Sequence, residues 1–349
     1  MTLVPVFDGH NDVLLRLWLK KEGDPAADFL EGDGKGHVDL PRLIKGGVAG
    51  GFFAIFVPSP NDLDLDDPTA APPSQEISQK AALTATLSMA SLLFRIEAAS
   101  SGRFKVCRTI TELRDCLTRG VTAAIFHIEG AEGIDPDLEA LEVLHQAGLR
   151  SLGPVWSRSN VFGHGVPFRF PSSPDTGPGL TEAGKALIKR CNALGILVDL
   201  SHLNEKGFWE VADLSDAPLV ATHSNAHALC ASSRNLTGDQ IKAIGESGGL
   251  IGLNFANGFL RADGRWTSEN GLDSMLRHLD QLLSLAGEDH VGLGSDFDGA
   301  RVPSQIGDVA GLPNLIEAMR AHGYGETLIA KIASDNWLRV LGEDVGRVA

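Results

Sequence analysis

The sequence predicts an α/β fold, a (β/α)8 TIM barrel, and three observations carry that expectation. Eight short apolar runs, rich in Gly and β-branched residues, punctuate the 349 residues. Helix-period stretches separate most of them, and strands alternating with helices imply a parallel sheet that eight units can close. Several runs end in His, Asp or Glu, which puts polar side chains where such barrels carry their chemistry. An open doubly wound sheet is the alternative.

The runs are Val4 to Gly9, Val48 to Val57, Thr122 to Gly130, Arg150 to Trp156, Gly195 to His202, Pro218 to Ser224, Gly249 to Asn257 and His290 to Asp296. Each is six to ten residues long and bounded by Gly, Pro or polar residues, as buried strands are. Helical periodicity appears over Gln75 to Ala98, Pro136 to Ala147, Thr181 to Leu194, Glu205 to Leu214, Thr237 to Glu246 and Ser268 to Leu285. It returns after Pro303 over Leu315 to His322 and Glu326 to Val340, a tail expected to pack around the barrel. One domain, 1–349, is expected, with inserted loops at about 19–47 and 59–74. The second of these is acidic and Pro-rich and follows a strand end, so it is a candidate lid.

The formal charge of −15 and a pI near 5.1 argue against nucleic acid, whose phosphates call for basic patches. Cys107, Cys116, Cys191 and Cys230 lie far apart without CxxC spacing, so neither a disulfide framework nor a thiolate metal site is implied. The opening residues lack a basic segment followed by a long apolar one, and Val48 to Val57 is too short to span a bilayer. A cytoplasmic location without membrane contact is expected, and homo-oligomer formation stays open.

The first run ends in Asp8-Gly9-His10-Asn11-Asp12. Positions i and i+2 of a strand face the same way, so His10 and Asp12 can meet at one point. A carboxylate beside an imidazole suits a divalent metal such as zinc, manganese or cobalt. Other strand ends add Glu129, His202, His223, Asp296 and Asp298. One metal takes three or four protein ligands, so this supply suffices for two, with Glu129 placed to bridge. Paired metals make water nucleophilic and polarise a carbonyl.

Other motifs are discounted. Gly245-Glu246-Ser247-Gly248-Gly249 fits GxSxG but follows a helix and precedes a strand, the reverse of a nucleophile elbow. Gly292-x-Gly294 has no following Rossmann helix, and His223-x-x-x-His227 lacks the Glu of HExxH. His127 is read as a core residue, with support of a metal ligand from behind as the alternative, and Trp209 and Trp337 as core aromatics.

The chain resembles the membrane dipeptidase (renal dipeptidase) family of metallopeptidases. The matching pieces are Asp8-Gly9-His10-Asn11-Asp12, Val38-Asp39-Leu40-Pro41-Arg42, Ile128-Glu129-Gly130, Val198-Asp199-Leu200-Ser201-His202 and His223-Ser224-Asn225-Ala226. Arg234-Asn235-Leu236, Gly294-Ser295-Asp296-Phe297-Asp298-Gly299 and Asn336-Trp337-Leu338-Arg339-Val340 follow in the family's order. The resemblance implies a TIM barrel of the metal-dependent hydrolase type with two zinc ions. His10 and Asp12 would hold one, His202 and His223 the other, and Glu129 would bridge. It further implies Asp296 as acid/base, Arg234 as the clamp on a substrate carboxylate, and dipeptide substrates that include L-Xaa-D-Xaa. A guanidinium suits that clamp because it meets a carboxylate bidentately.

One position departs from the pattern. The family's carbonyl-binding histidine at the end of the fourth strand is replaced by Trp156, and His164 in the following loop is a candidate substitute. An indole donates one hydrogen bond but carries no positive charge. That change favours the rival reading, a hydrolase of another amide, lactam or ester on the same metals. A non-catalytic relative is the third reading. Asp298, with Asp296, is expected to draw the substrate's amino group.

Overall fold

The computed structural model describes residues 3–20, 22–59, 75–267 and 270–344. Its strands are β1 (Val6–Asn11), β2 (Val48–Phe56), β3 (Phe104–Val106), β4 (Thr122–Glu129), β5 (Leu149–Gly153), β6 (Leu197–Val198), β7 (Val220–Ala221), β8 (Leu250–Leu253) and β9 (Val291–Leu293). All pairings are parallel, in the order β6-β5-β4-β2-β1-β9-β8-β7. The two ends of that path meet where Asp199, just past β6, bridges Val220 of β7 and Leu200 N–H donates to the Val220 carbonyl over 2.8 Å. The sheet thus closes into the expected barrel.

All eight expected runs are strands. The ninth, β3, was not expected, since three residues beside charged neighbours leave no readable period. It pairs with Thr122 to Ala124 at the start of β4, while β5 pairs with Phe126 to Glu129. Because β2 occupies one edge of β4 along its length, β3 and β5 share the other.

The stretch expected as an insertion at 19–47 is partly helical, with Pro25–Glu31 and Leu40–Gly46. Asp24 and Asp39 cap these helices through Ala26 and Arg42 N–H, and each has Pro in its first turn. Of the loop expected at 59–74, only Ser59 lies within the described residues. The helix expected over Glu326 to Val340 is instead Glu326–Ala330, a wide π-turn over Lys331–Asp335, and Asn336–Asp344.

Helix Gln79–Ala99, within the stretch expected to be helical, is among the described residues the one long and apolar enough to cross a bilayer, a length and composition the sequence reading did not expect of any segment. It buries Ala82, Ala85, Met89, Leu92, Leu93 and Ile96 in the core shared with β2 and β3.

Two layers of core position the strand ends. The larger lies between sheet and helices. The smaller gathers Phe7, Phe52, Ala123, Ile125, Leu197, Val220 and Leu250, from the starts and middles of their strands, around the fully buried Trp337. This indole plugs the barrel away from the polar strand ends, and its Nε1 donates to the Leu293 carbonyl over 3.0 Å. Gly9 makes room for it, because a Cβ there would overlap the Trp337 ring. Trp337 thus plays the core role expected, and Trp209 packs at the edge of the larger core. Trp337→Ala should cost about 3–5 kcal/mol, read as a lower denaturation midpoint in urea. A midpoint close to wild type would show that the plug is dispensable.

Candidate active site

The C-terminal ends of β1, β4, β6, β7 and β9 bring together residues up to 286 positions apart in sequence. His10 is the last residue but one of β1, and Asp12 stands one residue past the strand at the start of helix Val13–Trp18. Their facing atoms, His10 Nε2 and Asp12 Oδ2, are 3.3 Å apart. Glu129 ends β4, and its Oε1 lies 3.6 Å from His10 Nε2, 2.8 Å from His202 Nε2 and 3.3 Å from His223 Nε2. His202 and His223 face each other at 3.1 Å between Nε2 atoms, and the His10 and His223 rings stack at 3.8 Å. Asp296 joins His10 and Asp12 from the loop after β9. The five residues expected as metal ligands therefore meet, with Asp296 beside them.

The backbone bends sharply to make this possible. His202, Asp296 and Asp298 have φ of 70°, 60° and 67°, a region that non-glycine residues rarely occupy. Gly299 ends the turn because a Cβ there would overlap the carboxylates of Asp12 and Asp296.

Electrostatics show what the cluster lacks. Burial pushes the Glu129 carboxyl well above its usual range, and Asp12 and Asp296 push it further. Burial and then Asp12 raise Asp296 too. Burial works against protonated His10, yet Glu129 and Asp12 outweigh it and hold this imidazole up at about 10. His202 and His223 are pushed well below the usual range by burial, with the Arg234 and His10 charges adding to it, so both rings are neutral. Neutral imidazoles and clustered carboxylates are the donor set of a divalent cation. Neither ring nitrogen of His10 nor Asp12 Oδ1 has a hydrogen-bond partner. Buried polar atoms are rarely left so, and a bound cation would satisfy them. The residues present fit the metals that the sequence implied.

Arg234 is 3% exposed and lies behind this cluster. Its Nη1 donates to Ser224 Oγ over 2.8 Å and its Nη2 to the His223 carbonyl over 2.9 Å, while its buried Nε has no partner. Burial lowers its pKa to about 10, which leaves it charged at neutral pH. Trp156 stands 5.7 Å from the His202 ring and 4.8 Å from Phe56, with Phe168 edge-on at 5.5 Å. His164 is half-buried and bonds Ser159 Oγ through Nδ1 at 3.1 Å, with no described contact to the cluster.

Asp298 does not fit the expectation that it meets a substrate amine. Its side chain is 1% exposed and accepts from Arg16 Nε at 3.1 Å and His37 N–H at 2.5 Å. It ties the strand-end turn to the segment after β1. His127 sits under the cluster, against the His10 ring at 5.5 Å and Ser151 Oγ at 2.9 Å, and burial drives it down to about 3.

Four contributors escaped sequence reading. Ser157 Oγ bonds His202 Nδ1 at 2.7 Å, and Thr222 Oγ1 bonds His223 Nδ1 at 2.8 Å while donating to Asp199 Oδ2 at 2.6 Å. Asn254 Nδ2 donates to Asp296 Oδ2 at 2.9 Å. Ser, Thr and Asn are too common at strand ends to stand out. The one available signal was their place next to, or one strand away from, a ligand.

The fold and this cluster define a class, the metal-dependent hydrolases built on a (β/α)8 barrel. A family model described as membrane dipeptidase (peptidase family M19) matches residues 1–348, and the chain belongs to that family. It is thus a metallo-dipeptidase, a hydrolase of peptide bonds. A metallo peptidase from Rhodobacter sphaeroides, liganded with a phosphinate mimic of the dipeptide L-Ala-D-Ala, is 56% identical with a TM-score of 0.95, covering 98% of this chain and 100% of that one. A second structure, a metallo peptidase called dipeptidase AC, is 57% identical with a TM-score of 0.95 over 99% and 100% of the two chains. A Klebsiella pneumoniae protein described as "uncharacterized protein in pqqA 5'region" is 52% identical over 250 residues, 72% of this chain and 92% of its own length.

The loop that carries Arg234 is pinned by His278, which is 1% exposed. His278 Nδ1 accepts from Ala226 N–H at 3.1 Å and its Nε2 reaches the Leu260 carbonyl at 3.1 Å, so the neutral ring is the bonded form. Burial lowers its pKa from 6.5 to about 4. The unfolded chain takes up this proton near pH 6.5 and the folded chain only near pH 4, so stability is full above 6.5 and falls as pH drops through that window. The loss should reach roughly 3 kcal/mol for this one group. Urea denaturation at neutral pH and near pH 4.5 should show a smaller difference in His278→Gln than in wild type. An unchanged pH slope would remove His278 from the account.

Proposed function

We propose that this protein cleaves dipeptides, L-Xaa-D-Xaa among them, with two divalent ions, zinc by donor set, held by His10, Asp12, Glu129, His202 and His223. The observation that carries the reading is Glu129 Oε1, within 3.6 Å of a ring nitrogen of all three histidines and so suited to bridge. The L-Ala-D-Ala mimic bound by the Rhodobacter sphaeroides relative supports the substrate class and its stereochemistry. His10 and Asp12 would hold one ion, and His202 and His223 the other.

When bound, such ions polarise the scissile carbonyl and lower the pKa of water so that it attacks near neutral pH. The remaining work falls to side chains. Arg234 is fixed by two hydrogen bonds and keeps Nε free for the substrate's C-terminal carboxylate, which sets the register of a two-residue substrate. Asp296, held through Oδ2 by Asn254, takes the proton of the attacking water and returns it to the leaving amine nitrogen. Trp156, Phe56 and Phe168 form an apolar wall beside His202. With the indole where relatives of this family carry an imidazole, the carbonyl depends more on metal, and His164 faces Ser159 instead.

Asp296→Asn should lower kcat by about 10²–10⁴ while metal content by atomic absorption stays at the wild-type level. Full activity in that variant would end the acid/base assignment. A panel of L,L and L,D dipeptides beside a β-lactam and an ester decides the substrate class. The proposal expects L-Ala-D-Ala among the turned-over dipeptides and Arg234→Lys to raise KM for free dipeptides more than for C-terminal amides. Preferential cleavage of the lactam or ester would favour the rival hydrolase reading, for which Trp156 is the motivating residue.

A further inference from the structure

Resting on the two-ion reading, we propose that the two metal positions are unequal: Glu129, His202 and His223 form a tight, permanent position, and His10 and Asp12, which share Glu129 with it, a weaker, exchangeable one. The difference lies in what stands behind each ligand.

Both rings of the first set are held from the far side. Ser157 Oγ is 2.7 Å from His202 Nδ1. Thr222 Oγ1 spends its own proton on Asp199 Oδ2, so it can only accept from His223 Nδ1. That fixes the tautomer of His223 and turns its Nε2 lone pair toward Glu129. Asp199 is itself locked, with Oδ1 accepting from Ser201 and Thr222 N–H at 3.0 and 2.9 Å. It also lies within ligand reach of His10 and His223, but these donors occupy its oxygens, which makes it an orienting residue.

The second set has no such backing at its histidine. His10 is fully buried, neither of its nitrogens has a hydrogen-bond partner, and Asp12 Oδ1 has none. Ring contacts with His223 and His127 and the approach of Asp12 Oδ2 to Nε2 at 3.3 Å hold it, and nothing backs its Nδ1. Orienting hydrogen bonds raise ligand basicity and fix ring direction, and their loss typically weakens metal binding 10–100-fold.

The test is titration of metal-free protein with Zn²⁺ against a chelating competitor, with bound ions counted by native mass spectrometry. Two ions should bind in two steps at least tenfold apart. Ser157→Ala and Thr222→Val should weaken the first step 10–100-fold and spare the second, whereas Thr222→Ser, which keeps the hydroxyl, should restore the first. His10→Asn should abolish the weaker step alone. Circular dichroism of each metal-free variant separates misfolding from lost affinity. Two ions bound in one unresolved step, or hydroxyl variants that weaken only the second step, overturn the inequality and leave the two-ion reading standing. Fewer than two ions at saturation overturns both.

Discussion

His10, Asp12, Glu129, His202, His223 and Asp296 occupy one nearly dry region, and an unpaired charge in such surroundings costs several kcal/mol. Three carboxylates and three imidazoles cannot all be satisfied there by one another. The consequences are visible in the carboxyls of Glu129 and Asp296 driven upward, in two imidazoles driven downward, and in His10 left protonated between acids. Cations resolve that conflict at once, by taking the lone pairs of the rings and the charge of the carboxylates. The cluster is thus shaped around ions, and much of the surrounding structure makes sense as its support.

That support works at three distances. At the far end of the barrel, Trp337 fills the interior and fixes the spacing of the strands whose other ends carry the ligands. At the strand ends, left-handed residues and Gly299 fold the chain back so that Asp12 and Asp296 converge from β1 and β9. Directly behind the ligands, hydroxyls and amides set ring tautomer and carboxylate direction. Asp298 belongs to this scaffold. Its pairing with Arg16 and His37 joins the β9 turn to the segment after β1.

The barrel and the ligands could be read from sequence because both leave strong local marks. An apolar run ending in His10, Glu129 or His202 states strand, end point and donor together. Where marks were weak, the reading failed. β3 has three residues, and the short helices Pro25–Glu31 and Leu40–Gly46 are marked only by Asp caps and first-turn prolines. Ser157, Thr222 and Asn254 had no signature, and Asp199, although inside a matching motif, gave no sign of its role, since these roles exist only once distant strands lie side by side. Asp298 misled for the same reason, as its partners Arg16 and His37 lie more than 250 positions away in sequence.

The central claim, that this cluster is a two-cation site bridged by Glu129, is tested most directly by diffraction at the zinc absorption edge from crystals of the metal-saturated protein. The account predicts two anomalous peaks roughly 3.5–4 Å apart, one beside His10 and Asp12 and the other beside His202 and His223. A single peak, or peaks outside this group of side chains, would contradict it.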